Sequence, residues 1–344
     1  MSQPIDEDKA GNAKRKRRWV WRGLLLVVVF VAGWYVIARA TDAGRRVRLV
    51  ETSASMPGSS AAPVWEEDEA LTVAAYNIAH ARGLAVTNWA GDRNDRLTEI
   101  AALIASWDAD IVVLNEVDLD ASWSGRVNQA RVIAERAGFV YRVEQANYDL
   151  SLPGFRLRFG NAVLSRHPIV DAHPIDYPAV SGLESLAFGQ KRGVVCTVDV
   201  GGGRRVRVVA VHWDSRDAAV RAGSADVLTH LAADGGPPII AAGDFNAPLV
   251  TALGLTRPPE ESAAERLVTQ TDLAWIVPTA HEPVPDSFPS AAPAKLIDYI
   301  LAQPPLRVAR FEVVDSQLSD HRPVLAELLW ATETAENDAP SPAE

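Results

Sequence analysis

The first strong pattern along the chain is an apolar run. Gly23 to Ala38 reads GLLLVVVFVAGWYVIA, without a charge, and from Trp19 to Ala40 the run reaches 22 residues with Arg22 and Arg39 near its ends. A helix of that length crosses a hydrocarbon core of roughly 30 Å, and Trp19, Trp21, Trp34 and Tyr35 suit its two interfaces. Lys14, Arg15, Lys16, Arg17 and Arg18 directly precede it. The positive-inside rule therefore puts residues 1–18 in the cytoplasm and everything after a 19–40 transmembrane helix outside it. The rival is a cleaved export signal, suggested by Ala38-Arg39-Ala40 and Arg17-Arg18. The length of the run and the charge of Arg39 favour a retained single-pass anchor, and both readings export the remainder.

Residues 41–63, rich in Ser, Ala, Pro and Gly, carry no apolar period and predict a flexible linker. The acidic, proline-containing 331–344 stretch predicts a disordered tail. Between them, residues 64–330 read as one folded domain. Ten short β-rich runs recur there: 71–78, 110–117, 139–144, 161–166, 193–200, 205–213, 238–245, 296–302, 308–314 and 323–330. Helical spacing appears in Asp95–Trp107, where Leu97, Ile100, Leu103 and Ile104 recur at three and four, in Val127–Ala137 and in Asp217–Ala232. Strands that outnumber helices, several joined only by turn residues, predict mixed sheets packed face to face with helices outside.

The polar residues that end these runs change the picture. Asn77, Glu116, Asn161, His212, Asp244 and Asn246 lie at strand ends, Asp298 lies inside an apolar strand, and Ser319-Asp320-His321 precedes the last one. Singly, each reads most simply as a turn former or an interior polar group. Asp298 is the hardest to read that way, because a buried carboxylate requires a partner. Together they are carboxylates, amides and imidazoles without thiolates, the donor set of a hard divalent ion such as Mg²⁺ or Mn²⁺ acting on phosphate oxygens. The single cysteine, Cys196, excludes an intramolecular disulfide and a thiolate cluster.

In this order the motifs resemble the endonuclease/exonuclease/phosphatase superfamily, the deoxyribonuclease I-like phosphoesterases. The resemblance runs through Tyr76-Asn77-Ile78, Asn115-Glu116-Val117, Gly160-Asn161-Ala162-Val163-Leu164-Ser165-Arg166, Val211-His212, Gly243-Asp244-Phe245-Asn246, Ile297-Asp298-Tyr299 and Ser319-Asp320-His321-Arg322-Pro323-Val324. It implies an α/β (α+β) four-layer sandwich of two mixed sheets flanked by helices, and hydrolysis of phosphoesters with Mg²⁺ or Mn²⁺. It further implies Glu116 as principal metal ligand with Asn77 and Asp320 close to the ion. His321, oriented by Asp298, would face the scissile phosphate, Asp244 would position water, and Asn246 and His212 would contact phosphate oxygens. Asn161 and Arg158 are the candidate substrate contacts, Arg156 accompanying the latter. His80, Arg82, Gly83 and Lys191 are placed near the cleft, while Ser165, Ser215 and Ser319 read as structural because no serine-base motif accompanies them.

Charge narrows the substrate. Residues 1–64 hold 11 Lys and Arg against 5 Asp and Glu, a net of +6, leaving 23 basic against 39 acidic residues beyond, a net of −16. That disfavours broad nucleic-acid binding. An exported phosphodiesterase acting on a lipid or small ester is the leading reading, for which Trp89, Trp123 and Trp213 are candidate rim residues. An extracellular nuclease and a non-catalytic tethered binding protein are the alternatives. No protein partner is implied.

Overall fold

The computed structural model describes residues 7–43, 46–51, 65, 69–84, 93–178, 190–249, 262–275 and 285–331. Helix α1 (Glu7–Ala43) contains one window, Arg17–Val36, long and apolar enough to cross a membrane, and the rest of the chain buries none of that window. The described part of the basic leader, from Glu7, is helical and continuous with that window.

Twelve strands follow among the described residues: β1 (Val47–Glu51), β2 (Leu71–Asn77), β3 (Ile111–Ala121), β4 (Tyr141–Leu152), β5 (Phe155–Ser165), β6 (Ile169–Asp176), β7 (Arg192–Gly201), β8 (Arg204–His212), β9 (Ile239–Asp244), β10 (Asp298–Ala302), β11 (Leu306–Val313) and β12 (Val324–Trp330). They form a seven-stranded sheet ordered β1-β4-β5-β3-β2-β12-β11 and a five-stranded sheet ordered β10-β9-β8-β7-β6. Each sheet holds one parallel pair, β2 with β3 and β8 with β9; all other neighbours are antiparallel. Parallel neighbours require a crossover. Helix α2 (Arg93–Ser106) supplies it in the first sheet and helix α4 (Ala218–Ala232) in the second, with helix α3 (Gln129–Ala137) between β3 and β4 and helix α5 (Ala263–Gln270) after β9.

Local sequence explains these helix ends. Asn128 caps α3 by accepting from the Arg131 amide, and Asp217 caps α4 by accepting from Ala219 and Val220. Between the sheets, Val73, Val113 and Val163 join Val194, Val198, Val208 and Ile240 in one core. The alternate residues Ala74, Tyr76, Val112 and Leu114 pack outward against Ile100 and Ile104 of α2 and Ile133 of α3. With both faces covered, the central strands read as continuous apolar runs.

Two differences from the sequence reading stand out. Residues 47–51, inside the 41–63 stretch expected to be a linker, form an edge strand that pairs antiparallel with β4 from Val47↔Gln145 to Glu51↔Tyr141. At the other end of the second sheet, β6 edges β7 and contains Pro174. Both are mostly exposed, so neither carries the apolar alternation by which a strand is recognised. Trp65 and Trp330 meet edge to face with ring centroids 5.7 Å apart, bringing the two ends of the 64–330 stretch together.

Candidate active site

The C-terminal ends of the two parallel pairs meet. Register sets Asn77 beside Asn115 where the β2–β3 pairing ends, and sets His212, Asp244 and Asp298 abreast on β8, β9 and β10. The sheets are stitched there by the Asp244 amide, which donates to Asn115 Oδ1 at 3.0 Å, and by Asn77 Nδ2, which donates to Asp244 Oδ2 at 3.1 Å. Gly243 makes this approach possible. Its φ is +133°, and a Cβ there would lie 2.1 Å from the Val211 carbonyl oxygen and 2.8 Å from Asn115 Oδ1.

His321 reaches into the same place. Its Nδ1 lies 3.0 Å from Asp298 Oδ2, which also accepts from Ser287 Oγ at 2.7 Å. Its Nε2 lies 3.5 Å from Asn77 Nδ2 and 3.7 Å from Asp244 Oδ2. Burial pushes the imidazole towards its neutral form, but the charges of Asp298 and Asp244 outweigh that and raise its pKa. Asp244 is raised as well, first by burial and then by Asp298, against the opposing pull of His321 and Lys191. His212 is held well below its ordinary value by burial and by the Lys191 ammonium, which contacts its Nε2. The two imidazoles are thus set apart, His321 towards the cation and His212 towards the neutral base.

Glu116 stands opposite, with φ of +52° at a register shift of β3 against β5. One carboxylate oxygen is 3.8 Å from His212 Nε2, the other 3.6 Å from His80 Nε2. Burial would raise its pKa, yet His80, Lys191, His212 and His321 together hold it well below the usual carboxylate range. Asp320 is raised by burial and by Glu116, while Arg82 donates to its Oδ2 at 2.8 Å.

The structure therefore gathers Asn77, Glu116, His212, Asp244, Asp298 and His321, with Asp320 beside them. Asn246 is adjacent, its φ of +49° and its amide bond to Asp244 Oδ1 shaping the turn, but its Nδ2 donates to the Trp213 carbonyl. Asn161 does not fit the expected substrate contact. It is fully buried, its Oδ1 accepts from Asn115, and its amide hydrogens go to Gln145 Oε1 and the Arg192 carbonyl. Arg158 faces Glu144 and Asp149 at 3.9 and 3.7 Å, in a cavity of about 720 Å³ that Arg48, Arg126, Arg131, Arg142 and Arg156 also line. Trp213 is buried and so is no rim residue, Trp123 packs on His80 and Phe159, and Trp89 lies outside the described residues.

Three groups absent from the expected ligand and catalytic set belong to the site. Asn115 bridges the sheets. Ser287, which stands 11 positions before Asp298 in a Ser-Phe-Pro-Ser segment, donates to its Oδ2. His80, flagged in sequence only as near the cleft, faces Glu116.

These donors suit a hard divalent cation: Asp244, Asp298 and His321 offer ligand atoms within 4.8 Å of one another, and Glu116 adds an acceptor-only carboxylate. Asp298 Oδ2 and His321 Nδ1 are already bonded to each other, which leaves the Glu116 side freer to receive an ion.

Two facing sheets between helix layers, carrying a buried carboxylate–imidazole cluster at one end, define a four-layer α/β sandwich with a candidate active site at that end. The chain belongs to the Endonuclease/Exonuclease/phosphatase family, whose model matches residues 74–321. Among solved structures it is similar to an endonuclease/exonuclease/phosphatase from Beutenbergia cavernae DSM 12333 at 26% identity, covering 76% of this chain and 72% of that one with a TM-score of 0.59. Sphingomyelinase C from Streptomyces griseocarneus matches at 22% identity, over 75% of this chain and 99% of that one, with a TM-score of 0.55. A mannosyl-6-phosphatase from Bacteroides thetaiotaomicron matches at 18% identity, over 75% and 99%, with a TM-score of 0.51. No curated protein matches the chain significantly.

Proposed function

We propose that the chain is a membrane-anchored, divalent-metal-dependent phosphoester hydrolase, a phosphodiesterase working outside the cytoplasm. The observation that carries this reading is the convergence of Asn77, Asp244 and the Asp298–His321 pair on one point at the junction of the sheets. Family membership supports the reaction class. Glu116, Asn77 and Asp320 would hold the ion, which when bound supplies positive charge to phosphate oxygens.

The chain's own groups account for the rest. His321, kept protonated by Asp298, donates from Nε2 to a phosphate or leaving-group oxygen. Asp244 orients the attacking water and, where it is ionised, accepts its proton. His212, held neutral beside Lys191, forms a pair that places a donor near a non-bridging oxygen. Asn246, whose Nδ2 gives one hydrogen to the Trp213 carbonyl, orients the phosphate with its second, while Asn161 acts indirectly by holding Asn115. Lipid or small-ester substrates remain the leading class, since two fold neighbours are named for such substrates, a sphingomyelin and a sugar phosphate. A nuclease is the second reading, favoured by five arginines of the otherwise strongly acidic domain that line one cavity together with Arg48 of β1.

The test uses the full chain in detergent micelles, assayed with bis-p-nitrophenyl phosphate, p-nitrophenyl phosphate, sphingomyelin micelles and supercoiled plasmid, with Mg²⁺, Mn²⁺ or EDTA. Diester turnover that EDTA abolishes and His321→Ala lowers by about 10²–10⁴-fold supports the reading. Turnover untouched by EDTA or by His321→Ala refutes it, and plasmid nicking without release from the small esters selects the nuclease.

A further inference from the structure

The short turn Ala79–Ala81 is built at a cost. Three consecutive non-glycine residues, Ala79, His80 and Ala81, have φ of +44°, +56° and +54°, a left-handed backbone that L-residues adopt only under strain. The surroundings hold it in place. The His80 carbonyl accepts from Gln129 Nε2 at 2.9 Å and Arg93 Nη1 at 3.1 Å, and the Ala81 carbonyl accepts from Arg96 Nη1 at 3.1 Å.

The imidazole is fixed as firmly. Its Nδ1 lies 2.8 Å from Asp118 Oδ1, and Asp118 is itself held: its Oδ2 accepts from Trp123 Nε1 at 2.8 Å and its amide donates to Gln129 Oε1 at 2.9 Å. The rings of Trp123 and Phe159 stand edge-on to the imidazole, with centroids 5.8 and 5.4 Å away. All of this leaves one atom with an open direction. Nε2 faces Glu116 Oε2 at 3.6 Å, beyond hydrogen-bond length.

An imidazole that gives Nδ1–H to a buried carboxylate, and so presents Nε2, is how proteins hold a metal-ligating histidine. Two ligand atoms 3.6 Å apart also fall within the reach of two bonds of roughly 2.1 Å to one ion. We propose that His80 Nε2 is a metal ligand, sharing the cation with Glu116 and positioned by Asp118. The inference rests on Glu116 being the cation ligand of the proposed hydrolase. Because Mg²⁺ is a hard cation held by oxygen ligands while an imidazole nitrogen suits first-row transition ions, it also assigns the site a preference for a transition ion such as Mn²⁺ over Mg²⁺.

Metal binding tests this without turnover. The full chain, stripped of metal in detergent, is titrated with Mn²⁺ and Mg²⁺ by calorimetry, and the Mn²⁺ form is read by pulsed electron paramagnetic resonance for nitrogen coupling. His80→Ala should weaken Mn²⁺ binding at least tenfold, weaken Mg²⁺ binding less, and abolish the nitrogen coupling, whereas His212→Ala should leave the coupling in place. Asp118→Asn, which keeps the side-chain shape, should weaken Mn²⁺ by about 10–100-fold and stands in if the strained turn does not tolerate alanine at His80. Nitrogen coupling that survives His80→Ala, or Mn²⁺ affinity within twofold of the parent in both variants, overturns the proposal. Where Glu116→Ala still abolishes binding, that failure is confined to His80. Unchanged affinity in Glu116→Ala as well removes the cation from this side of the site altogether.

Discussion

Asp298 draws its significance from its neighbours. It is the buried first residue of β10, and two groups converge on one of its oxygens: Ser287 Oγ donates to the same Oδ2 that faces His321 Nδ1. A carboxylate so placed keeps the imidazole charged and in one orientation. Asp298→Asn should therefore lower kcat by about two to four orders of magnitude with little change in KM. Ser287→Ala, which removes one supporting bond, should cost about tenfold. Steady-state kinetics on a diester substrate checks both, and an Asp298→Asn variant with parental kcat would remove the pair from the mechanism. Asp298 and His321 were legible from sequence as a buried carboxylate and a strand-end imidazole. Asn115 stood in a matching motif but without a role, because its amide crosses from one sheet to the other, a contact between residues 129 positions apart that no local pattern encodes.

At the level of elements, the centre of the fold was legible and its edges were not. β2, β3, β8 and β9 are buried on both faces, so their apolar runs stop only where the site begins, and the polar residues at those stops marked the site. β1 and β6 lie at sheet edges with mostly exposed side chains and leave no such trace. The His80 turn escaped for a different reason, since left-handed backbone at three successive non-glycine residues is imposed by Arg93, Arg96 and Gln129 from other elements. Gly243 is the place where element geometry and site chemistry are one. Gly243→Ala would combine a φ of +133° with a Cβ 2.1 Å from the Val211 carbonyl oxygen, at the strand pair that carries His212 and Asp244. It should destabilise the fold by about 3 kcal/mol or more, seen as a lower midpoint in guanidinium unfolding, and should lower turnover with it. A parental midpoint would mean that β8 and β9 can separate at this point without loss.

Across the whole molecule, charge and hydrophobicity divide the chain in one direction. The first 64 residues are net positive, the remainder net negative, and an apolar helix window from Arg17 to Val36 stands in the positive part. The anchored topology proposed above follows if the basic end stays inside, and Cys196 makes this measurable. It is the single cysteine of the chain, wholly buried within β7, and burial pushes its thiol up to about 12, so at neutral pH it has neither access nor thiolate. The parent protein should take up no maleimide until it is denatured, and any cysteine placed on an exposed position becomes the sole reactive thiol. In intact cells a membrane-impermeant maleimide should label Glu51→Cys, just beyond the helix, and spare Ser2→Cys. Labelling of Ser2→Cys with protection of Glu51→Cys would reverse the orientation. Labelled Glu51→Cys protein that has lost residue 2 and washes off the membrane in alkaline carbonate would turn the anchor into an export signal, leaving the folded domain outside but free of the bilayer.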